Sequence, residues 1–265
     1  MDRPSSGSLI AGAGRGVLDL AAYLGALTRF LVRSLRAGLR PNFPIRIVIA
    51  QMYEIGVKSL PLTGIAALAI GLVLAMQTIT LLAKFGVVYY VAVVVGLSVV
   101  KELGPVVTAL MVAGRAGSGI SAELGSMRVT RQIDALRVLA VDPAQYLVAT
   151  RIAACVLVMP LLAAISDVLG ILGGAIIGIT LGGVARSTYV QTTLYYVTLG
   201  DVVPGLLKTL VFGLIIGTTG AFYGFNTEGG TTGVGRSTTS TVVAASLMIF
   251  ISDVIMTQIL VGLGY

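Results

Sequence analysis

Apolar residues dominate five stretches of this chain, at about 61–83, 91–113, 147–182, 204–224 and 240–263. Each is long enough to supply the ~20 residues that cross a bilayer as an α-helix, and the third is long enough to tilt, kink or protrude. Before them the pattern is different. Within 15–40, Leu20, Leu24, Leu27, Leu31 and Leu35 recur at three- and four-residue spacing, while Arg29, Arg33, Arg36 and Arg40 recur on another face. That alternation predicts an amphipathic helix lying along a membrane surface and ended by Pro41 and Pro44. The expected fold class is an all-α integral membrane protein. An N-terminal basic interfacial region occupies 1–44, and five transmembrane helices follow within 45–265.

The connections carry the polar signals. Lys84 to Tyr90 read as a short turn with interfacial tyrosines, 183–203 as an external connection, and 226–239 as a Gly/Thr-rich loop. The segment 115–142 holds Arg115, Glu123, Arg128, Arg131, Asp134, Arg137 and Asp142. Its arginines place it in the cytoplasm, so the N-terminus is cytoplasmic and the C-terminus lies outside after five crossings. Asp142-Pro143 is a helix start, because Asp caps and Pro suits the first helical position. In the third span Gly170, Gly174, Gly178 and Gly182 repeat every four residues, which predicts a flat helix-packing stripe.

Composition narrows the chemistry. Charged residues make up 11% of the chain, against about 25% in ordinary globular domains. There is no histidine, and Cys155 is the only cysteine. An internal disulfide is impossible, His/Cys metal sites are not expected, and Ser-His or Cys-His nucleophiles are excluded. No catalytic residue and no metal site are expected. The net charge of +7 is concentrated early, in Arg3, Arg15, Arg29, Arg33, Arg36, Arg40, Arg46 and Lys58. In a membrane chain this points to anionic lipid at the cytoplasmic face, not to nucleic acid. The first thirty residues have no continuous apolar run of the signal-peptide kind, so no cleaved leader is expected. The stretch Gly230 to Ser237 comes within one residue of a phosphate-binding P-loop, with Arg236 where lysine is required. None of the four lysines follows a glycine, so ATP hydrolysis would have to occur on another chain.

Inside the second span, Lys101 and Glu102 stand side by side, followed by Gly104-Pro105. Counted from Val91 at ~1.5 Å per residue, Glu102 lies about 16 Å along the helix, near mid-membrane. A charge there costs on the order of 2.5–3.5 kcal/mol unless it faces a bundle interior or a wet cavity. Adjacent helix positions point ~100° apart, so the two do not neutralise each other across one face. Pro105 also frees a backbone carbonyl near Lys101. A polar spot in a buried cavity is expected, with a structural ion pair to neighbouring helices as the alternative. Asp167 and Asp253 are further carboxylates in spans three and five. They motivate an alternative function, an ion- or proton-coupled transporter using Glu102, Asp167 and Asp253. Against it, their positions give no sign of convergence, and no inverted pair of broken helices is visible. A third reading is a non-transporting membrane scaffold.

The run from Lys101 to Arg151, "KELGPVVTALMVAGRAGSGISAELGSMRVTRQIDALRVLAVDPAQYLVATR", closely resembles the central signature of the MlaE permease family. "IGLVLAMQ" (Ile70 to Gln77) and "GRSTTSTVV" at the start of span five extend the resemblance over most of the chain from about residue 45. It implies the permease subunit of an ABC transporter that moves phospholipid between bacterial membranes. Such a subunit is not itself an enzyme, since ATP and Mg²⁺ are held by a partner ATPase. The resemblance further implies a homodimer in the bacterial inner membrane, with the plastid inner envelope as the related location. A hexameric ring of MCE-domain substrate-binding protein would dock outside. A cytoplasmic coupling helix is implied at about 122–139, with Glu123, Gly125, Met127, Gln132, Ile133, Ala135 and Leu136 matching the family pattern. Lys101 and Glu102 would mark the polar part of a phospholipid pocket, walled by Leu74, Gln77 and Leu81. Lysine replaces a frequent arginine at position 101, keeping the charge without the bidentate fork.

Overall fold

The computed structural model describes residues 6–41 and 43–263. Asp2 and Arg3, and the side chains of Arg15, Asp19 and Leu20, lie outside the described residues. Among those described there is no strand. The chain runs α1 (Ser6–Gly38), α2 (Ile45–Ile55), α3 (Leu60–Ala83), α4 (Val91–Ser98), α5 (Gly104–Val112), α6 (Ser118–Val129), α7 (Gln132–Val138), α8 (Thr150–Thr180), α9 (Arg186–Tyr196), α10 (Leu199–Phe225) and α11 (Gly230–Gly262). Five stretches are long and apolar enough to cross a membrane: Ile45–Ala83, Val88–Val129, Ala144–Thr180, Leu199–Phe225 and Gly230–Gly262.

The second of these joins α4, α5 and α6 through two π-helical turns, Val99–Leu103 and Ala113–Gly117. In the first, the N–H of Gly104 reaches back to the carbonyl of Val99, one residue further than in an α-helix. Pro105 has no N–H to offer the turn before it, so the ladder is already open at this point. The expected helix over 122–139 is in fact two pieces. The second span continues to Val129, and α7 is separate. Arg131 and Ala140, both with φ near +58°, bracket α7 in the left-handed region.

Three further boundaries differ from expectation. The external connection contains α9. Span four starts at Leu199, where Thr198 and Asp201 form a capping box. The Gly/Thr-rich loop is short, because α11 begins at Gly230, so the P-loop-like residues are helical. Gly and Thr are weak helix formers, but here Gly233, Ser237, Thr241, Ala245 and Ile249 form one buried stripe, and packing overrides propensity.

The faces of α3 are sorted by size. On α3 the buried positions Gly64, Ala67, Gly71, Ala75 and Thr78 are all small, while Ile65, Val73 and Leu81 point outward. Lipid is as apolar as leucine, so close backbone approach, and not apolar burial, holds such helices together. The central helix is α8, packed against α3 on one side and α10 on the other. A Cβ at Gly71 would fall onto the carbonyl of Gly170. The predicted glycine stripe packs within the chain: Gly170 meets Val99, Gly174 meets Val95, Gly178 meets the Tyr189 ring, and Gly182 lies near Ile79. Tyr189, fully buried, is thereby the anchor of α9.

The N-terminal helix docks through aromatics. Tyr23 packs edge-on to Phe222, and Phe30 packs against Phe222 and Phe225. The Tyr23 and Tyr223 hydroxyls are 3.2 Å apart, and partial burial pushes the Tyr23 phenol above its usual range. Beyond it Arg40 pairs with Asp142 at 2.6 Å, while Asp142 caps the start of the third span by accepting the Ala144 N–H at 2.9 Å.

Candidate functional site

The second span and α11 converge on Lys208 of α10. It sits nine residues into α10, about 14 Å from the helix start at Leu199, and its side chain is 3% exposed. Its three ammonium protons have three acceptors: Glu102 Oε1 at 2.7 Å, Thr257 Oγ1 at 2.7 Å and the Lys101 carbonyl at 3.3 Å. The last is the carbonyl that Pro105 leaves without its intrahelical donor. Thr257 in turn donates to Glu102 at 3.0 Å. Asp253, one turn before Thr257 on α11, lies 3.2 Å from Lys208 as an ion-pair partner. Two carboxylates therefore face one lysine, with a hydroxyl and a backbone carbonyl completing the shell.

Lys101 turns the other way. Its ammonium pairs with Asp201 at 2.8 Å and is half exposed. Asp201 also holds the Thr198 cap, so the first turn of α10 is tied to the π-helical turn of span two. Between these pairs lies a cavity of about 50 Å³, lined by Lys101, Glu102, Asp201, Lys208, Thr257 and Leu260 among others. It has room for a few waters and not for a phospholipid.

The remaining expected residues are placed as follows. Leu74 packs in the apolar cluster around Val91 and Val95, while Gln77 and Leu81 face outward. None of the three lines the cavity within one chain. Asp253 does converge with Glu102, although their sequence positions gave no sign of it. Asp167 stays apart on α8, its Oδ1 against the bare Cα of Gly104 and without a hydrogen-bond partner among the described residues. In the expected coupling segment, Glu123 pairs with Arg151 at 2.7 Å and Gly125 is packed beneath Thr227. Ile133 is fully buried in the chain's own core, with Met127 and Leu136 packed against that core. These residues seat α7, whose outward apolar groups are instead Val138 and Leu139.

Lys208, Asp201 and Thr257 were missed in the sequence. A signal was present for the first, because Lys208 is the sole charge within 204–224. No signal identified Asp201 or Thr257 as its neighbours.

The model of the family described as Permease MlaE matches residues 48–259. The chain belongs to the MlaE permease family. It is 35% identical over 260 residues, 97% of this chain and 99% of the relative, to the intermembrane phospholipid transport system permease protein MlaE of Haemophilus influenzae. A probable ABC transporter permease protein of Rickettsia bellii is 39% identical over 93% of this chain and 95% of its own length. The chloroplastic protein TRIGALACTOSYLDIACYLGLYCEROL 1 of Arabidopsis thaliana is 34% identical over 80% of this chain and 61% of its own length. As an MlaE-family permease, the chain is a multi-pass membrane protein, and the Lys208 cluster lies wholly within the region that the family model matches.

Proposed function

We propose that this chain is the permease subunit of an ABC transporter moving phospholipid between the inner membrane and a periplasmic MCE-protein carrier. ATP hydrolysis takes place on a separate subunit. The observation that carries the reading is the Lys208 cluster. It is a buried lysine with all three ammonium protons accepted, halfway through the bundle and next to the Lys101–Asp201 pair at the mouth of a cavity. A phospholipid head needs a cation for its phosphate, and Lys101 supplies one that is half exposed.

The arginine-rich 115–142 segment supports an orientation with α1 and α7 cytoplasmic and the Lys101–Asp201 mouth toward the periplasm. A cavity of about 50 Å³ in one chain means that lipid enters only when the helices part, or when a second copy completes the wall. Gln77 and Leu81, outward-facing in one chain, are available to such a wall. Two ATPase subunits closing on ATP would push on α7 and the exposed Val138 and Leu139 at its end, and the motion would reach the cavity along the second span through its two π-helical turns.

The ion-coupled alternative gains one observation, since Glu102 and Asp253 meet at Lys208. One experiment separates the two readings. The chain is reconstituted in vesicles with its ATPase and its carrier, and phospholipid transfer is measured with ATP or with an imposed proton gradient. Transfer that needs ATP and ignores the gradient supports the permease reading. Transfer that follows the gradient without ATP overturns it.

A further inference from the structure

At the opposite end of span two a second polar site is built around Arg115. Counted from Val88 at ~1.5 Å per residue, Arg115 lies about 40 Å along the helix. That matches the ~40–45 Å from headgroup to headgroup across a bilayer, so Arg115 stands at headgroup level on the side of α1 and α7. A crevice of about 400 Å³ opens between α2 and this part of the second span. Gln51, Glu54, Arg115 and Glu123 supply its polar wall, and Ile55 and Ile120 its apolar floor.

The charges there are not evenly matched. Glu54 already holds Lys58 at 2.6 Å, and Glu123 already holds Arg151 at 2.7 Å. Arg115 has no carboxylate within ion-pair distance among the described residues. Its Nη1 is fixed by the Glu54 carbonyl and the Ser59 hydroxyl, both at 3.0 Å. Those two bonds orient the guanidinium, while Nε and Nη2 have no partner among the described residues. A half-buried, oriented guanidinium with free donors facing a crevice matches the planar, bidentate demand of a phosphate oxygen pair. On another face of α2 and the turn after it, Ile45, Ile49, Tyr53 and Val57 form an exposed apolar stripe at four-residue spacing, suited to the lipid leaflet.

We propose that this crevice binds a phosphate group at the cytoplasmic membrane surface, with Arg115 as its anchor. Because both carboxylates are occupied, the site reads the phosphate and ignores any amine attached to it. It is independent of the Lys208 cluster, whose Glu102 is about 20 Å away along the second span. The phosphate comes either from a cytoplasmic-leaflet phospholipid or from a soluble phosphate, and the two sources are separable.

The test is native mass spectrometry of the full chain, delipidated in detergent and titrated with phosphatidylglycerol or phosphatidylethanolamine. Inorganic phosphate binding to the same sample is measured in parallel by equilibrium dialysis. Arg115→Gln is expected to weaken lipid retention about tenfold or more, as loss of a charge-assisted pair does. Gly119→Leu protects against a folding artefact. A Cβ there meets open space, and the larger side chain, one turn from Arg115 on the same face, fills the crevice while leaving the guanidinium in place. It too is expected to weaken retention about tenfold. Arg186→Gln, the same charge change on α9, is expected to leave it unchanged. Equal retention of the two lipids by the native chain, lost in both crevice variants, establishes a lipid phosphate site. Native retention by Gly119→Leu overturns the proposal. Inorganic phosphate bound as tightly as lipid, and lost in the same variants, overturns the lipid source and assigns the crevice to soluble phosphate.

Discussion

Lys208 illustrates how a single charge is made tolerable inside a membrane protein. All three of its protons are accepted and two carboxylates balance it, so the desolvation penalty is offset only while every partner is present. Lys208→Met would leave Glu102 and Asp253 facing each other without a cation. We expect a loss of about 3–5 kcal/mol, the range for breaking a buried pair, read as a lowered thermal midpoint in detergent. The double change Lys208→Met with Glu102→Gln should recover part of it. At the surface, Ala140 sits at φ +58°. Ala140→Val, adding a branched Cβ in the left-handed region, should cost about 1–2 kcal/mol by the same melt, while Ala140→Gly should be near neutral. Such residue-level readings were half available in advance. Lys101, Glu102 and Pro105 stand out in any apolar window, and the carbonyl opened by Pro105 was expected where Lys208 now binds it. Their partners belong to α10 and α11, more than ninety residues further along, and nothing in local spacing pairs them.

At the scale of elements, glycine placement explains what periodicity did not. The four-residue repeat in α8 was visible, but half of it exists to admit Tyr189, a residue of a helix that the sequence did not announce. Gly178→Leu should displace that ring and release α9. Limited proteolysis is expected to cut within 186–196 in this variant and not in the native chain, and unchanged protection would show that Tyr189 is not the anchor. The segment 122–139 was legible as helical. That it breaks at Arg131, and that Ile133 faces inward, depends on the core formed by α6, α8 and α10, which no short window contains. For the same reason Gly230–Ser237 looked like a loop: its composition is poor for a helix, and only the stripe it buries against α6 and α10 makes it one.

At the scale of the molecule, the seam between α3 and α8 has small residues inside and large apolar residues outside, the arrangement suited to lipid. A Cβ at Gly71 meets a backbone carbonyl that cannot move aside cheaply. Gly71→Val is therefore expected to reduce the yield of folded, monodisperse protein severely, whereas Ile65→Val on the outward face should leave it unchanged; size-exclusion profiles decide between these outcomes. Under the proposed function, native mass spectrometry of the chain extracted from its own cells should find two copies with two ATPase chains and bound phospholipid. A lone chain across several mild detergents would count against the assembly.

Hydropathy was enough to establish an all-α membrane protein with five spans, because bilayer thickness acts on local sequence. The fifty-residue signature was enough for the family. Which charges meet was decided by packing: two carboxylates and a threonine gather on Lys208, Lys101 is drawn to Asp201, and Arg115 is left without a carboxylate partner among the described residues. These outcomes depend on how α5, α10 and α11 cross, and that crossing is set by contacts between small residues far apart in the chain.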